Sequence, residues 1–166
     1  MKTNKRLQPG GPTQSALPGH PPARILVVDD NPDIRRLNSE VLLESGYRVD
    51  AAQDGAVAWS ALQLFDYDLL ITDNQMPTVT GVELIKKLRS EDMTLPVVLM
   101  SGTMPTEEIN ENPWLEIQAT LLKPYSVREL LRTVRKVLRG KDQMYPPGTV
   151  PFNWQGIPGM AGLRLR

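Results

Sequence analysis

The feature that most constrains the fold is a fivefold alternation between short apolar runs and segments with helical periodicity. The runs are RILVVD, YRVDAA, YDLLIT, LPVVLMS and ATLLK, which begin at positions 24, 47, 67, 95 and 119. Short continuous apolar runs are typical of strands that are covered on both faces. Strands that alternate with helices imply right-handed crossovers and a parallel sheet with helices on both sides. We therefore predict an α/β domain with a doubly wound, five-stranded parallel sheet built from five β-α units.

Capping residues indicate where three of these helices begin. Asn31 is the predicted N-cap of the first helix, and the proline that follows it suits the first helical position. Thr80 with Glu83, and Ser126 with Glu129, have the spacing of a capping box. These signals predict that the third helix begins at about residue 81 and the fifth at about residue 127.

Two helices carry more specific expectations. In the first helix, apolar residues at helical spacing predict the buried face: Ile34, Leu37, Val41 and Leu42. The fourth helix is expected to be short, near residues 105–112, because a residue that precedes proline is biased away from helical backbone, and an Asn-Pro pair stands at 112–113.

The two ends of the chain differ in composition from the middle. Residues 1–22 are rich in proline and glycine with few apolar residues, so we expect a disordered N-terminal arm before a domain at residues 23–140. The C-terminal tail, residues 141–166, is also rich in proline and glycine, but it carries Trp154 and several other large apolar side chains. It is either a loose tail or a segment, within residues 145–163, that packs on the domain or on a partner.

Composition narrows the class of protein. The 19 basic and 19 acidic residues cancel, so bulk charge does not favour nucleic acid or a membrane surface as the partner. The absence of cysteine excludes disulfides and thiolate metal sites. No apolar run approaches the roughly 20 residues that span a bilayer, and the N-terminus lacks the apolar segment of a signal peptide. These features favour a cytoplasmic protein.

Polar side chains follow four of the predicted strands. Asp29 and Asp30 come after the first strand, Asp73 after the third, Ser101 after the fourth and Lys123 after the fifth. Ligands of open α/β sheets bind outside the carboxyl ends of the strands, where the strand order reverses. We therefore expect three carboxylates, a hydroxyl and an amine to meet in one crevice.

Three converging carboxylates repel one another and require a cation. Hard oxygen ligands with room for water and a phosphate oxygen suit Mg²⁺. Zinc would favour thiolate or imidazole ligands, and the single histidine, His20, lies in the N-terminal arm. The sequence therefore predicts a magnesium site.

The motifs VVDD, DNQMP followed by Gly81, LMSG and KP stand at the ends of four different strands. In this order they resemble the receiver domain of bacterial two-component response regulators, and the resemblance covers residues 23–140. It implies a flavodoxin-like (βα)5 fold and a regulatory phosphoacceptor domain rather than an enzyme, in which any self-phosphorylation or dephosphorylation is intrinsic to the domain.

The resemblance also implies roles for the carboxylates. Asp73 would accept a phosphoryl group from the phosphohistidine of a histidine kinase or a phosphotransfer protein. Asp29, Asp30 and Asp73, together with the backbone carbonyl of Gln75, would hold Mg²⁺.

The remaining residues of the motifs would respond to phosphorylation. Ser101 would bind one phosphoryl oxygen and Lys123 would pair with another. The family usually carries an aromatic switch residue on the fifth strand, but the matching position here is Thr120, and the nearest aromatic residue is Tyr125. Either residue is a candidate for the switch.

The expected output is a protein contact. Only 26 residues follow position 140, too few for a DNA-binding domain, so we expect a downstream protein effector and allow for a dimer through the last helix-strand-helix face. Three alternatives stay open: a pseudo-receiver that binds partners constitutively, a receiver fragment of a longer regulator, and a receiver fragment of a hybrid kinase. An aspartyl-nucleophile phosphatase and a nucleotide-binding module fit less well, because the D-x-D pattern and the glycine-rich phosphate loop are missing after the first strand.

Overall fold

The structure is a computed structural model that describes residues 21–144, and the side chains of residues 21–140. Its elements in chain order are β1 (Arg24–Val28), α1 (Pro32–Glu44), β2 (Arg48–Ala52), α2 (Gly55–Leu64), β3 (Leu69–Asp73), α3 (Gly81–Ser90), β4 (Val97–Ser101), α4 (Thr106–Glu111), a 3-10 helix (Pro113–Leu115), β5 (Ala119–Leu122) and α5 (Val127–Met144). The predicted N-terminal arm and the apolar part of the C-terminal tail lie outside the described residues. Between residues 21 and 144, no helix combines the length and apolar character needed to cross a bilayer.

The five strands form one parallel sheet in the order β2-β1-β3-β4-β5. The chain adds β2 on one side of β1 and the later strands on the other, so the order reverses between β1 and β3. The predicted doubly wound sheet of the flavodoxin-like class is confirmed. Its reversal point gives the crevice in which such sheets bind ligands.

Burial on both faces explains why the three central strands, β1, β3 and β4, read as continuous apolar runs. In β1, Leu26 and Val28 pack into the core that lies under α2 and α3. Ile25 and Val27 point to the other face and pack into the core that lies under α1 and α5. Because successive strand residues face opposite sides, a strand with a helix layer on each side must be apolar at every position.

The predicted helix starts are confirmed. The Asn31 side chain accepts hydrogen bonds from two backbone N–H groups in the first turn of α1. Thr80 and Glu83 form both hydrogen bonds of a capping box before α3, and Ser126 and Glu129 form the same pair of bonds before α5. These bonds satisfy backbone donors that a helix start leaves without partners.

The buried face of α1 differs from the prediction. Leu37, expected in the core, is 53% exposed, whereas Asn38 is buried beside Leu42. The helix is thus turned toward Asn38, because this amide has a polar partner in the interior: its Nδ2 donates to the hydroxyl of Tyr125. A polarity pattern alone assigns an asparagine to the surface and could not predict this contact.

Two helix ends also carry information. α4 has six residues and no buried side chain, and it stops before the Asn-Pro pair as predicted. α5 continues to Met144, past residue 140, where the predicted domain ends. A single interior glycine costs a helix only about 1 kcal/mol relative to alanine, and the next proline comes at position 146.

Gly81 provides a test of how tightly the sheet edge is packed. A Cβ at Gly81 would collide with the backbone carbonyl oxygen of Asp73 and lie 3.0 Å from Asn74 Cα. We predict that Gly81→Ala lowers the free energy of unfolding by about 1–3 kcal/mol, measured by urea denaturation. Gly140→Ala is the matched control: no described atom lies within 4 Å of its added Cβ, so it should raise stability by about 0.5–1 kcal/mol. Native stability in Gly81→Ala would contradict the close approach.

Candidate functional site

Strand register brings the predicted site residues to one edge of the sheet. β1 and β3 are neighbours, and Val28 lies opposite Thr72. The next residue of each strand, Asp29 and Asp73, therefore lies at the same edge of the sheet. On the other side of β4, the backbone N–H of Lys123 donates to the Ser101 carbonyl at 2.8 Å. The crevice predicted from the sequence is therefore present.

Three carboxylates converge in this crevice. Asp29, Asp30 and Asp73 each offer an oxygen, and these three atoms lie within 4.8 Å of one another. Asp29 and Asp73 are buried, whereas Asp30 is exposed. Two carboxylates of the site are thus shielded from solvent, and the carboxylate of Asp30 is accessible to it.

Lys123 balances part of this negative charge. Its Nζ lies 2.9 Å from Asp29 Oδ2, to which it donates a hydrogen bond, and 3.2 Å from Asp73 Oδ1. The second contact is ionic without hydrogen-bond alignment, so the buried Asp73 Oδ1 has no hydrogen-bond donor among the described residues. This buried oxygen is therefore balanced by the charge of Lys123 rather than by an aligned hydrogen bond.

The pKa values of the pair reflect burial and mutual attraction. Burial raises the pKa of Asp29, and the hydrogen bond and positive charge of Lys123 offset only part of that rise. Burial alone would lower the pKa of Lys123, but Asp29 and Asp73 together outweigh it, so the pKa of the ammonium group is raised. Lys123 is therefore charged at neutral pH.

Two further contacts hold the β1-α1 loop, and the sequence did not reveal them. Asp29 Oδ1 accepts a hydrogen bond from the backbone N–H of Asn31 at 2.9 Å. Arg35 Nη1 donates to the backbone carbonyl of Asp29 at 2.6 Å. Arg35 stands one helical turn into α1, and an arginine at that distance from an acidic loop is the signal that could have indicated the contact.

Ser101 and Gln75 lie in the loops around the acids, and their predicted roles stay predictions. Ser101 is buried, and its hydroxyl donates to the Thr103 carbonyl in its own loop. Gln75 is exposed, and its side-chain Oε1 lies beside Gly102, 2.9 Å from where a Cβ would stand. The β3-α3 and β4-α4 loops therefore touch above the site.

The donor set fits a hard divalent cation. Lys123 contacts two of the three clustered carboxylates, Asp29 and Asp73, and its single positive charge does not balance the cluster. All three acids offer oxygen, and the buried Asp73 Oδ1 accepts no hydrogen bond from any described residue. Oxygen ligands with one open side are what Mg²⁺ prefers in proteins.

A family model for the response regulator receiver domain matches residues 25–135. Among curated relatives, Response regulator RppA of Synechocystis is 34% identical over 125 residues, which cover 74% of this chain and 53% of RppA. The chain thus spans about half the length of the curated relatives that it matches.

Solved structures of similar proteins support the same family. Chemotaxis protein CheY4 of Vibrio cholerae is 31% identical with a TM-score of 0.66, and the match covers 70% of this chain and 98% of CheY4. Response regulator TrrA of Thermotoga maritima, solved in complex with Mg²⁺ and BeF, is 31% identical with a TM-score of 0.62, over 69% of this chain and 98% of TrrA.

The sheet order and the acidic crevice define a regulatory α/β domain of the receiver class. With the family match over most of the described residues, the chain belongs to the response regulator receiver domain family.

The charge balance predicts the effect of removing Lys123. Lys123→Met leaves the buried Asp29 and Asp73 without their cation, so we expect the free energy of unfolding to fall by about 3 kcal/mol in buffer without divalent ions. Lys136→Met, at an exposed position on α5, is the matched control and should change it by less than about 0.5 kcal/mol. Equal effects of the two substitutions in urea titrations would contradict the account.

The raised pKa of Lys123 predicts a pH dependence. The ammonium group stabilises the fold fully below its unfolded-state pKa, which is ordinarily 10.5, and this contribution is lost as pH rises through the higher folded-state pKa. The stability difference between the native chain and Lys123→Met should therefore be constant from neutral pH to about 10 and shrink above 10.5. Urea midpoints of both proteins measured across that range check this. A difference that grows with pH would be the opposite of the expected sign.

Proposed function

We propose that this chain accepts a phosphoryl group from the phosphohistidine of a histidine kinase or phosphotransfer protein onto Asp73, in a Mg²⁺-dependent reaction. The observation that carries the proposal is the setting of Asp73. It is a buried carboxylate clustered with two other acids and in contact with Lys123, and one of its oxygens accepts no hydrogen bond from the described residues. Family membership supports the same role.

The transfer requires little of the protein beyond positioning and charge. The P–N bond of the phosphohistidine breaks as a P–O bond forms to an Asp73 carboxylate oxygen, and the electron pair returns to the imidazole nitrogen. Because the transferring group passes through a loose transition state, charge neutralisation and alignment provide most of the rate. Attack by a carboxylate oxygen releases no proton, so the step needs no general base, and Lys123 supplies positive charge beside Asp73 Oδ1 at 3.2 Å.

Asp29, Asp30 and Asp73 would hold the Mg²⁺, with the backbone carbonyl of Gln75 as a further ligand. Such a cation would neutralise charge on the transferring group. The presence of Mg²⁺ with BeF in the related TrrA structure supports this assignment. The exposed position of Asp30 leaves the acidic cluster open to solvent on that side.

Phosphorylation of Asp73 would change the loop that carries Ser101. A phosphoryl group brings nearly two negative charges and three acceptor oxygens. For Ser101 to donate to one of these oxygens, its hydroxyl must leave the Thr103 carbonyl that now accepts it. The β4-α4 loop is therefore the element that phosphorylation would bias between two arrangements.

The signal would pass to a protein effector. Leu122 on β5 is 57% exposed. The helix that precedes β5 in the chain, α4, is short and has no buried residues. This open face of the last strand suits a partner or a second copy of the chain. A receiver within a longer regulator or hybrid kinase is the second candidate, favoured by the 53% coverage of RppA.

The experiment is intact-mass measurement after incubation with acetyl phosphate or phosphoramidate, with and without Mg²⁺. We predict a gain of one phosphoryl group that requires Mg²⁺ and disappears in Asp73→Asn. Asp66→Asn, an exposed acid before the other end of β3, is the matched control and should be phosphorylated like the native chain.

Two results would contradict the proposal. One is a phosphoryl gain that persists in Asp73→Asn. The other is no gain in the native chain with either small donor or with a phosphorylated histidine kinase domain, which would favour a pseudo-receiver.

A further inference from the structure

A polar contact lies in the core beneath the site, between α1, β4 and the loop that follows β5. Asn38 Nδ2 donates to the Tyr125 hydroxyl at 2.9 Å, and this hydroxyl lies 2.9 Å from Met100 Sδ. Asn38 is only 2% exposed and Tyr125 is half-buried. An amide buried without a partner is costly, so this bond is what allows Asn38 to face inward.

The position of the contact relates it to the charged cluster. Tyr125 is two residues after Lys123, and Met100 directly precedes Ser101. On its near side, the loop is held by the backbone bond from Lys123 N–H to the Ser101 carbonyl. On its far side, the Tyr125 hydroxyl fastens it to α1. The backbone of Lys123 is therefore fixed from both directions.

We propose that Asn38 and Tyr125 are positioning residues that hold the Lys123 loop so that its ammonium group lies between Asp29 and Asp73. The consequence for phosphoryl transfer rests on the proposed function, whereas the placement of the ammonium group does not. Neither positioning residue touches the carboxylates through any described hydrogen bond. They act through the backbone that carries Lys123.

The alternative is a purely structural role, in which Asn38 and Tyr125 only satisfy each other's buried polar atoms. The double variant Asn38→Leu/Tyr125→Phe separates the two roles. It removes both polar partners together, and such a paired replacement can be nearly neutral for stability. If the role of Asn38 and Tyr125 is only structural, apolar packing in the double variant should replace it and leave Lys123 unaffected. If they position Lys123, its ammonium group should be held less firmly in the double variant.

The readout is the reactivity of Lys123 toward an amine-reactive acetylating reagent, quantified by peptide mass spectrometry at neutral pH. An ammonium group paired with two carboxylates reacts slowly, because the reagent requires a free neutral amine. We expect Lys123 in the double variant to react on the order of fivefold faster than in the native chain. This factor corresponds to the net free energy of about one hydrogen bond. Lys87, exposed on α3, is the internal reference and should react equally in both proteins.

An unchanged Lys123 rate in a double variant of native stability would overturn the proposal. If the double variant is destabilised, the same measurement is made on Tyr125→Phe, which deletes one oxygen and keeps the ring. An unchanged Lys123 rate there would also overturn it. The labelling uses the unphosphorylated chain, so its result is independent of whether Asp73 accepts a phosphoryl group.

The phosphorylation rate with acetyl phosphate and Mg²⁺ is the second arm. We expect a decrease, also on the order of fivefold, that persists in the stable double variant. Faster labelling with a native phosphorylation rate would retain the positioning of Lys123 and reject its importance for transfer. Failure of the native chain to be phosphorylated would count against the proposed function alone.

Discussion

The burial of two carboxylates, Asp29 and Asp73, at one edge of a parallel sheet is the constraint on which the rest of the structure depends. Two like charges in a partly buried site destabilise the fold unless a cation lies between them. Lys123 provides that cation at 2.9 Å and 3.2 Å. Because it follows β5, two strands away from β3, both β4 and β5 must be in place before the charges are balanced. Stability and site geometry are therefore properties of the same contacts.

The same balance is what makes the site chemically useful. One ammonium group against three carboxylates leaves negative charge that a divalent cation can neutralise. One oxygen of Asp73 is buried and accepts no hydrogen bond from any residue that the structure describes. The surrounding loops are held tightly: Gly81 leaves no room for a side chain against the Asp73 carbonyl. The proposed phosphoacceptor is thus fixed by the backbone, while the Ser101 hydroxyl donates to the Thr103 carbonyl within its own loop.

Much of this could be predicted from the sequence, because the apolar runs, the caps and the polar residues after the strands are local signals with a known physical cause. The parallel sheet then brings Asp29, Asp73 and Lys123 together without further information. What could not be predicted depends on the rotation and length of helices. Leu37 was expected in the core, but Asn38 takes that place because of a partner 87 residues away in sequence. α5 passes Gly140 because one glycine is a weak helix breaker.

The central claim is that Asp73, and no other acid of the cluster, forms the acyl phosphate. Borohydride reduction of the chain after treatment with a phosphodonor and Mg²⁺ converts a phosphorylated aspartate to homoserine, which peptide mapping locates. The account predicts homoserine at Asp73 alone, and none when Mg²⁺ is withheld. Homoserine at Asp29 or Asp30, or a phosphate on Ser101 that resists reduction, would contradict it.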